Sequence, residues 1–127
     1  MSISESDKPI FAGPIEETFA KILDFYGIEW VYEPSSFPLV RDEQGRVVEA
    51  FTPDFYLPQQ NLYIELTTLR PHLATYKNRR MRLMRELYPE IHIKLLKRRE
   101  LRDMMIKYGL AEEAIPIMGT KAQQRVP

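Results

Sequence analysis

The strongest constraint on how this chain can fold is a pair of carboxylates set inside short runs of strand-forming residues. Phe51-Thr-Pro-Asp-Phe-Tyr-Leu-Pro58 is followed, after Gln59, Gln60 and Asn61, by Leu62-Tyr-Ile-Glu-Leu-Thr-Thr68. Aromatic and β-branched residues on both sides of a Pro-Gln-Gln-Asn turn signal predict an antiparallel hairpin, with Asp54 on one arm and Glu65 on the other. An acid in an apolar strand is costly unless something pairs with it. Side chains alternate along a strand, so Tyr63, Glu65 and Thr67 share one face of the sheet while Leu62, Ile64 and Leu66 share the other. A divalent cation held between Asp54 and Glu65 satisfies both carboxylates at once. The alternative is that the two acids pair with Lys77 and Arg80.

Around this hairpin the rest of the chain falls into a recognisable order. Residues 1–13 carry no periodic pattern, end in Ala-Gly-Pro and read as a flexible leader. From Pro14, the spacing Ile15, Phe19, Ile22, Leu23, Tyr26 predicts an amphipathic helix that Gly27 stops. Glu16 lies roughly 75° from the centre of its apolar stripe and can reach toward the sheet, whereas Glu17 points to solvent. Ile28 to Glu33 reads as a short strand closed by Pro34. Phe37 to Val40 and Arg46 to Phe51 predict a second hairpin, turned at Gly45, whose later arm runs straight into the Pro-Asp-Phe-Tyr-Leu strand. The expected result is a meander of at least three strands.

A long helix is expected from Leu73 or Ala74 to Pro89, with Leu73, Tyr76, Arg80, Leu83, Met84 and Leu87 as its buried stripe. Arg80 near the middle of an apolar face demands an acid or a phosphate as partner. Lys77 falls at the stripe's border, about 70° from its middle. Ile91 to Leu96 alternates as a further strand, and a final helix spans about Arg98 to Tyr108. The organisation is thus a leader at 1–13, one α+β domain at 14–108 with α/β/α-type layering, and a tail or linker at 109–127.

Composition narrows the chemistry. There are no cysteines, which excludes a disulfide framework and a thiolate zinc site and leans toward the cytoplasm. No apolar run reaches the roughly 20 residues needed to cross a bilayer, so no membrane partner is expected. Net charge is zero overall, yet it is segregated: about −8 from Met1 to Leu69 and about +8 from Arg70 to Tyr108. Either an anionic partner sits on the C-terminal helices, with Arg79, Arg80, Arg82 and Arg85 along its path, or these are solvated faces that neutralise the front half across the fold. Two lone histidines, His72 and His92, read as ordinary surface or core residues, and Trp30 as buried beside the first helix.

The order of elements, Pro53-Asp54 on one strand and Glu65 on the next resemble the PD-(D/E)XK, or restriction-endonuclease-like, nuclease superfamily. The likeness extends from Pro14 to Tyr108. It is strongest to short domains with a Glu16-x-x-Phe19 first helix, a Phe-Thr-Pro-Asp-Phe strand and a Tyr-x-Glu strand, some of them fused to phosphoribosyltransferase domains. The resemblance implies an α-β-β-β-α-β core with a C-terminal helix here, Asp54 and Glu65 as metal ligands, Glu16 as the first-helix acid, and metal-dependent hydrolysis of phosphodiester bonds, with DNA as the expected substrate. Hard oxygen ligands favour Mg²⁺ or Mn²⁺. Dimerising and fused relatives make a second copy, or a fused or partner enzyme, the other expected partner. Where the motif has a lysine, two residues after the glutamate, this chain has Thr67, which cannot act as a cation. Lys77 is the expected replacement, with Thr67 and Tyr63 lining the site. The alternative is a catalytically degenerate module that binds nucleic acid or a partner without cutting.

Overall fold

A computed structural model of the chain describes residues 9–67 and 75–107. The expected helix start at Leu73 or Ala74, His72, and the tail at 109–127 lie outside them. The elements are α1 (Pro14–Phe25), β1 (Val31–Tyr32), β2 (Phe37–Arg41), β3 (Val47–Phe51), β4 (Phe55–Leu57), β5 (Leu62–Leu66), α2 (Thr75–Leu87), β6 (Ile93–Leu96) and α3 (Arg98–Lys107). This is an α+β fold. A sheet in the order β1-β4-β5-β6 is antiparallel except for its last pair, β5 and β6, which run parallel; β2 and β3 form a separate hairpin. Taken with α1 and α2, the strands of the larger sheet follow one another as α-β-β-β-α-β, the hairpin being inserted after the first strand.

The expected continuous meander is therefore not what forms. Phe51 and Phe55 are four residues apart and would share a face of an unbroken strand. Instead Phe51 packs in one apolar cluster, with Leu39, Met81 and Met84, and Phe55 packs in the other, with Phe19, Trp30 and Leu66. The chain turns over between them at Thr52-Pro53, where Pro53 has no N–H to offer a ladder and restricts Thr52 before it. The partner of β4 on its other side is β1, which is shorter than the Ile28 to Glu33 run suggests, and Ile28 packs against the Phe55 cluster.

Those two clusters are the two sides of the sheet. α1 and Leu101 of α3 cover one side through Phe19, Ala20, Leu23, Leu57, Ile64 and Leu96. α2 and the β2–β3 hairpin cover the other through Leu39, Phe51, Met81 and Met84, with Ile93 and Leu95 of β6 packed against them. The anticipated leader is already tied in at Phe11, whose ring meets Tyr32 edge-on at 4.9 Å and Trp30 at 5.9 Å. Trp30 is buried and its Nε1–H donates to Asp24 Oδ1 at 2.7 Å, so the ring is a core element and no stacking platform.

Helix α2 buries part of the expected line, Met84 with Leu83 packed beside it, but not the rest among the described residues. Tyr76 and Leu87 are half exposed, whereas Met81 and Met84 are the buried pair. Lys77, Met81, Met84 and Tyr88 follow the 4-3-4 spacing of a single helical face, which moves Arg80 to its shoulder and brings Lys77 inward. Tyr88 closes that face by donating its hydroxyl to the Pro38 carbonyl at 2.7 Å. Among the described residues no helix is long and apolar enough to cross a membrane.

Candidate active site

Two features of the β4–β5 hairpin bring Asp54 and Glu65 together. The register pairs Phe55 with Ile64 and Leu57 with Leu62, so its continuation sets Asp54 opposite Glu65. The turn that holds this register places Asn61 at a φ of 50°, a left-handed conformation that asparagine tolerates, with its side chain accepting the Tyr56 hydroxyl at 2.9 Å. Each carboxylate then takes a backbone N–H beside the other acid. Glu65 Oε1 accepts from Asp54 N at 3.1 Å, and Asp54 Oδ2 accepts from Leu66 N at 2.8 Å. From the other side, the Glu33 N–H donates to the Asp54 carbonyl at 2.9 Å, at a left-handed backbone position ahead of Pro34. Glu33, whose role the sequence leaves undecided, thus helps fix the main chain at Asp54.

Lys77 reaches this pair from α2. Its Nζ lies 3.0 Å from Glu65 Oε2 and donates to the Leu66 carbonyl at 2.7 Å. Glu65 is 5% exposed and the lysine side chain 18%, so the ion pair is largely shielded from water. Burial raises the Glu65 carboxyl above the usual carboxylate range, and the ammonium with its hydrogen bond pulls it back. For Asp54, burial and then the charge on Glu65 push the carboxyl up to about 7, against the Leu66 N–H and the charge on Lys77. Among the described residues these two acids share one ammonium, an excess of acid over base of the kind that attracts a further cation.

The other expected residues are less closely gathered. Glu16 is buried, and burial raises its carboxyl, with the charge on Asp54 adding and that on Lys77 opposing. The backbone N–H groups of Glu16 itself and of Gly13 pull it back. Gly13 leaves room for the carboxylate, since a Cβ there would come within 3.3 Å of Glu16 Oε2. No three His, Cys, Asp or Glu side chains gather around one point among the described residues, so Glu16 acts on the pair through its charge. Thr67 is buried, with its N–H on the Leu96 carbonyl at 3.0 Å. Tyr63 turns toward the hairpin, meeting the Phe37 ring edge-on at 5.3 Å and Ser35 Oγ through its hydroxyl at 3.1 Å. It braces the hairpin against the sheet.

Of the four arginines, three stand beside an acid, two of them sharing Glu49. Arg79 Nη1 lies 2.8 Å from Glu49 Oε2 and Arg80 Nε lies 3.6 Å from the same oxygen, while Arg80 also spans the rings of Phe51 and Tyr76. Arg80's partner is Glu49, and neither arginine reaches Asp54 or Glu65 as an ion pair among the described residues. Arg82 makes only a loose exposed contact with Glu86 at 3.8 Å, and Arg85 is exposed on the same helix. Glu49 escapes a reading of the sequence because its partners lie 30 positions away. A cleft of about 600 Å³ runs along α1 beside Phe11, Lys21, Asp24 and Trp30, and none of Asp54, Glu65 or Lys77 lines it.

The donor set suits a hard divalent ion in chemistry: two carboxylates on adjacent strands, each held by a backbone N–H beside the other. No protein-family model, no curated protein and no solved structure matches the chain.

Proposed function

We propose that this chain is a Mg²⁺- or Mn²⁺-dependent nuclease of the PD-(D/E)XK kind that hydrolyses phosphodiester bonds in DNA. The observation that carries the reading is Lys77 Nζ at 3.0 Å from Glu65 Oε2, a cation from the next helix standing where Thr67 offers none. The succession α-β-β-β-α-β through the larger sheet supports it as well. Asp54 and Glu65 would hold the metal. When bound, such an ion lowers the pKa of a coordinated water and offsets charge at the phosphate. In single-step hydrolysis a water oxygen attacks phosphorus as the bond to the leaving sugar oxygen breaks. Lys77 is the group placed to orient that water and to offset the charge that builds on the phosphate oxygens. Glu16 adds negative charge behind the pair, and exposed Arg82 and Arg85 line a path for the nucleic-acid backbone.

Calorimetric titration of Mn²⁺ into the wild type and the Glu65→Gln variant tests this, followed by a screen for cleavage of plasmid and single-stranded DNA. Uptake and cutting in the wild type, both lost in the variant, are expected. Absence of both in the wild type would sink it.

A second reading has its own support. Every buried side-chain polar atom among the described residues has a hydrogen-bond partner, so the acids are satisfied as they stand. On that reading the domain binds nucleic acid, or a fused or partner enzyme, without cutting. Glu49→Gln bears on both readings, because it frees Arg79 and Arg80 while touching only a surface ion pair. The variant is expected to melt within a degree or two of the wild type. Its DNA affinity should fall more steeply with salt, by roughly one unit of slope per arginine released. An unchanged salt slope would take these two arginines out of the interface.

A further inference from the structure

We propose that Lys77 and a divalent cation compete for one seat, so that an ion binds this site only after the ammonium has swung away. The inference rests on the two-carboxylate metal site proposed above. Nζ is held by two oxygens from consecutive residues of β5, Glu65 Oε2 at 3.0 Å and the Leu66 carbonyl at 2.7 Å. Leu66 is pinned on both sides, since its N–H donates to Asp54 Oδ2 at 2.8 Å and the Thr67 N–H of the carbonyl's own peptide donates to the Leu96 carbonyl at 3.0 Å. Glu65 Oε1 is likewise engaged by the Asp54 N–H at 3.1 Å. The oxygens that grip the ammonium are therefore oriented by the same network that orients the acids. A metal drawing on Glu65 meets an oxygen already paired with a full positive charge, in a place where solvent screens little.

The lysine is built to yield. Its α2 backbone is anchored by the buried Met81 and Met84 on the same face, while its four-carbon stem can carry the charge outward without moving the helix. A chain seated most of the time lowers the apparent affinity for the metal by the fraction of time it is away. Once displaced, the ammonium stays tethered at the mouth of the site, where an incoming phosphate is its natural partner.

Two measurements on the full chain decide this. In the first, Mn²⁺ is titrated calorimetrically into wild type and Lys77→Met; the variant is expected to bind about tenfold tighter. Equal affinities would overturn the competition while leaving the two-carboxylate site standing, and uptake by neither protein would overturn both. Loss of a nearby positive charge also tightens binding, so the second measurement follows the lysine itself. Wild type carrying ¹³C at the lysine ε-carbons is titrated with Mg²⁺ by NMR, the Lys77 signal being assigned by its absence from Lys77→Arg. The signal is expected to move to the position of solvent-exposed lysines as Mg²⁺ saturates. A Lys77 signal that stays in place at saturation overturns the proposal, and this arm decides alone where Lys77→Met fails to fold.

Discussion

Asparagine in place of Asp54 is expected to make the folded chain more stable at pH 8 while removing its response to Mg²⁺. The Asp54 carboxyl is pushed from an ordinary value of 3.8 up to about 7, by burial first and the charge on Glu65 second. A carboxyl raised in the folded state contributes stability that is complete below the unfolded value and is lost as pH climbs through the folded one. The window here runs from about pH 4 to just above 7, and the loss across it is on the order of 2 kcal/mol, with part discounted for the water that reaches the side chain. Asparagine keeps an oxygen to accept the Leu66 N–H, now held at 2.8 Å, and carries no charge to be penalised. Urea unfolding should therefore find Asp54→Asn equal to wild type below about pH 4 and more stable by about 1–2 kcal/mol at pH 8. Added Mg²⁺ should raise the melting temperature of the wild type alone. On the nuclease reading, cleavage by the variant falls by at least about 10²-fold. A variant less stable than wild type at pH 8 would mean that Asp54 is a structural acid, and the case for a functional site would lose its main physical sign.

Such a pair is legible in sequence because its geometry is local. The turn of Pro58 to Asn61 sets the register of β4 on β5, and that register places Asp54 opposite Glu65. The first helix, bounded by Pro14 and Gly27, and the β2–β3 turn, where Asp42 Oδ1 takes the N–H groups of Gln44 and Arg46 on either side of Gly45 at a φ of 82°, are legible for the same reason. What escapes is set by contacts distant in the chain. Period-two counting cannot show that Phe51 and Phe55 face different clusters, because Pro53 turns the strand over between them. Apolar counting on α2 passes over Met81 and admits Tyr76 and Leu87, since which face is covered depends on where the β2–β3 hairpin lies. The choice of Glu49 by Arg79 and Arg80 leaves no local trace either. With Glu65 on Lys77, it neutralises part of the acidic first half against the basic helices, as one of the two readings of the charge pattern anticipates.

Alanine in place of Phe55 is expected to cost about 3–5 kcal/mol, the range for emptying an aromatic site in a packed core. Phe55 is fully buried, and four rings converge on it: Phe19 at 5.3 Å, Tyr32 at 5.5 Å, Trp30 at 5.6 Å and Phe11 at 6.2 Å. These rings come from α1, from β1 and the residue before it, and from the segment before α1, so they cannot collapse together into the space left behind without moving the backbone at all three places. Domains of this size have only about 5–15 kcal/mol in total, so the variant should melt on the order of 15 °C lower, with the environment of the lone Trp30 changed in its fluorescence. The consequence reaches the site, because Asp54 is the residue before Phe55 and its position depends on β4 remaining paired with both β1 and β5. Phe55→Leu, which keeps most of the volume, should recover the greater part of the loss. A cost below about 1 kcal/mol for Phe55→Ala in urea unfolding would show that the aromatic cluster does not hold α1 to the sheet, and the rigid placement of Asp54 against Glu65 would need another source.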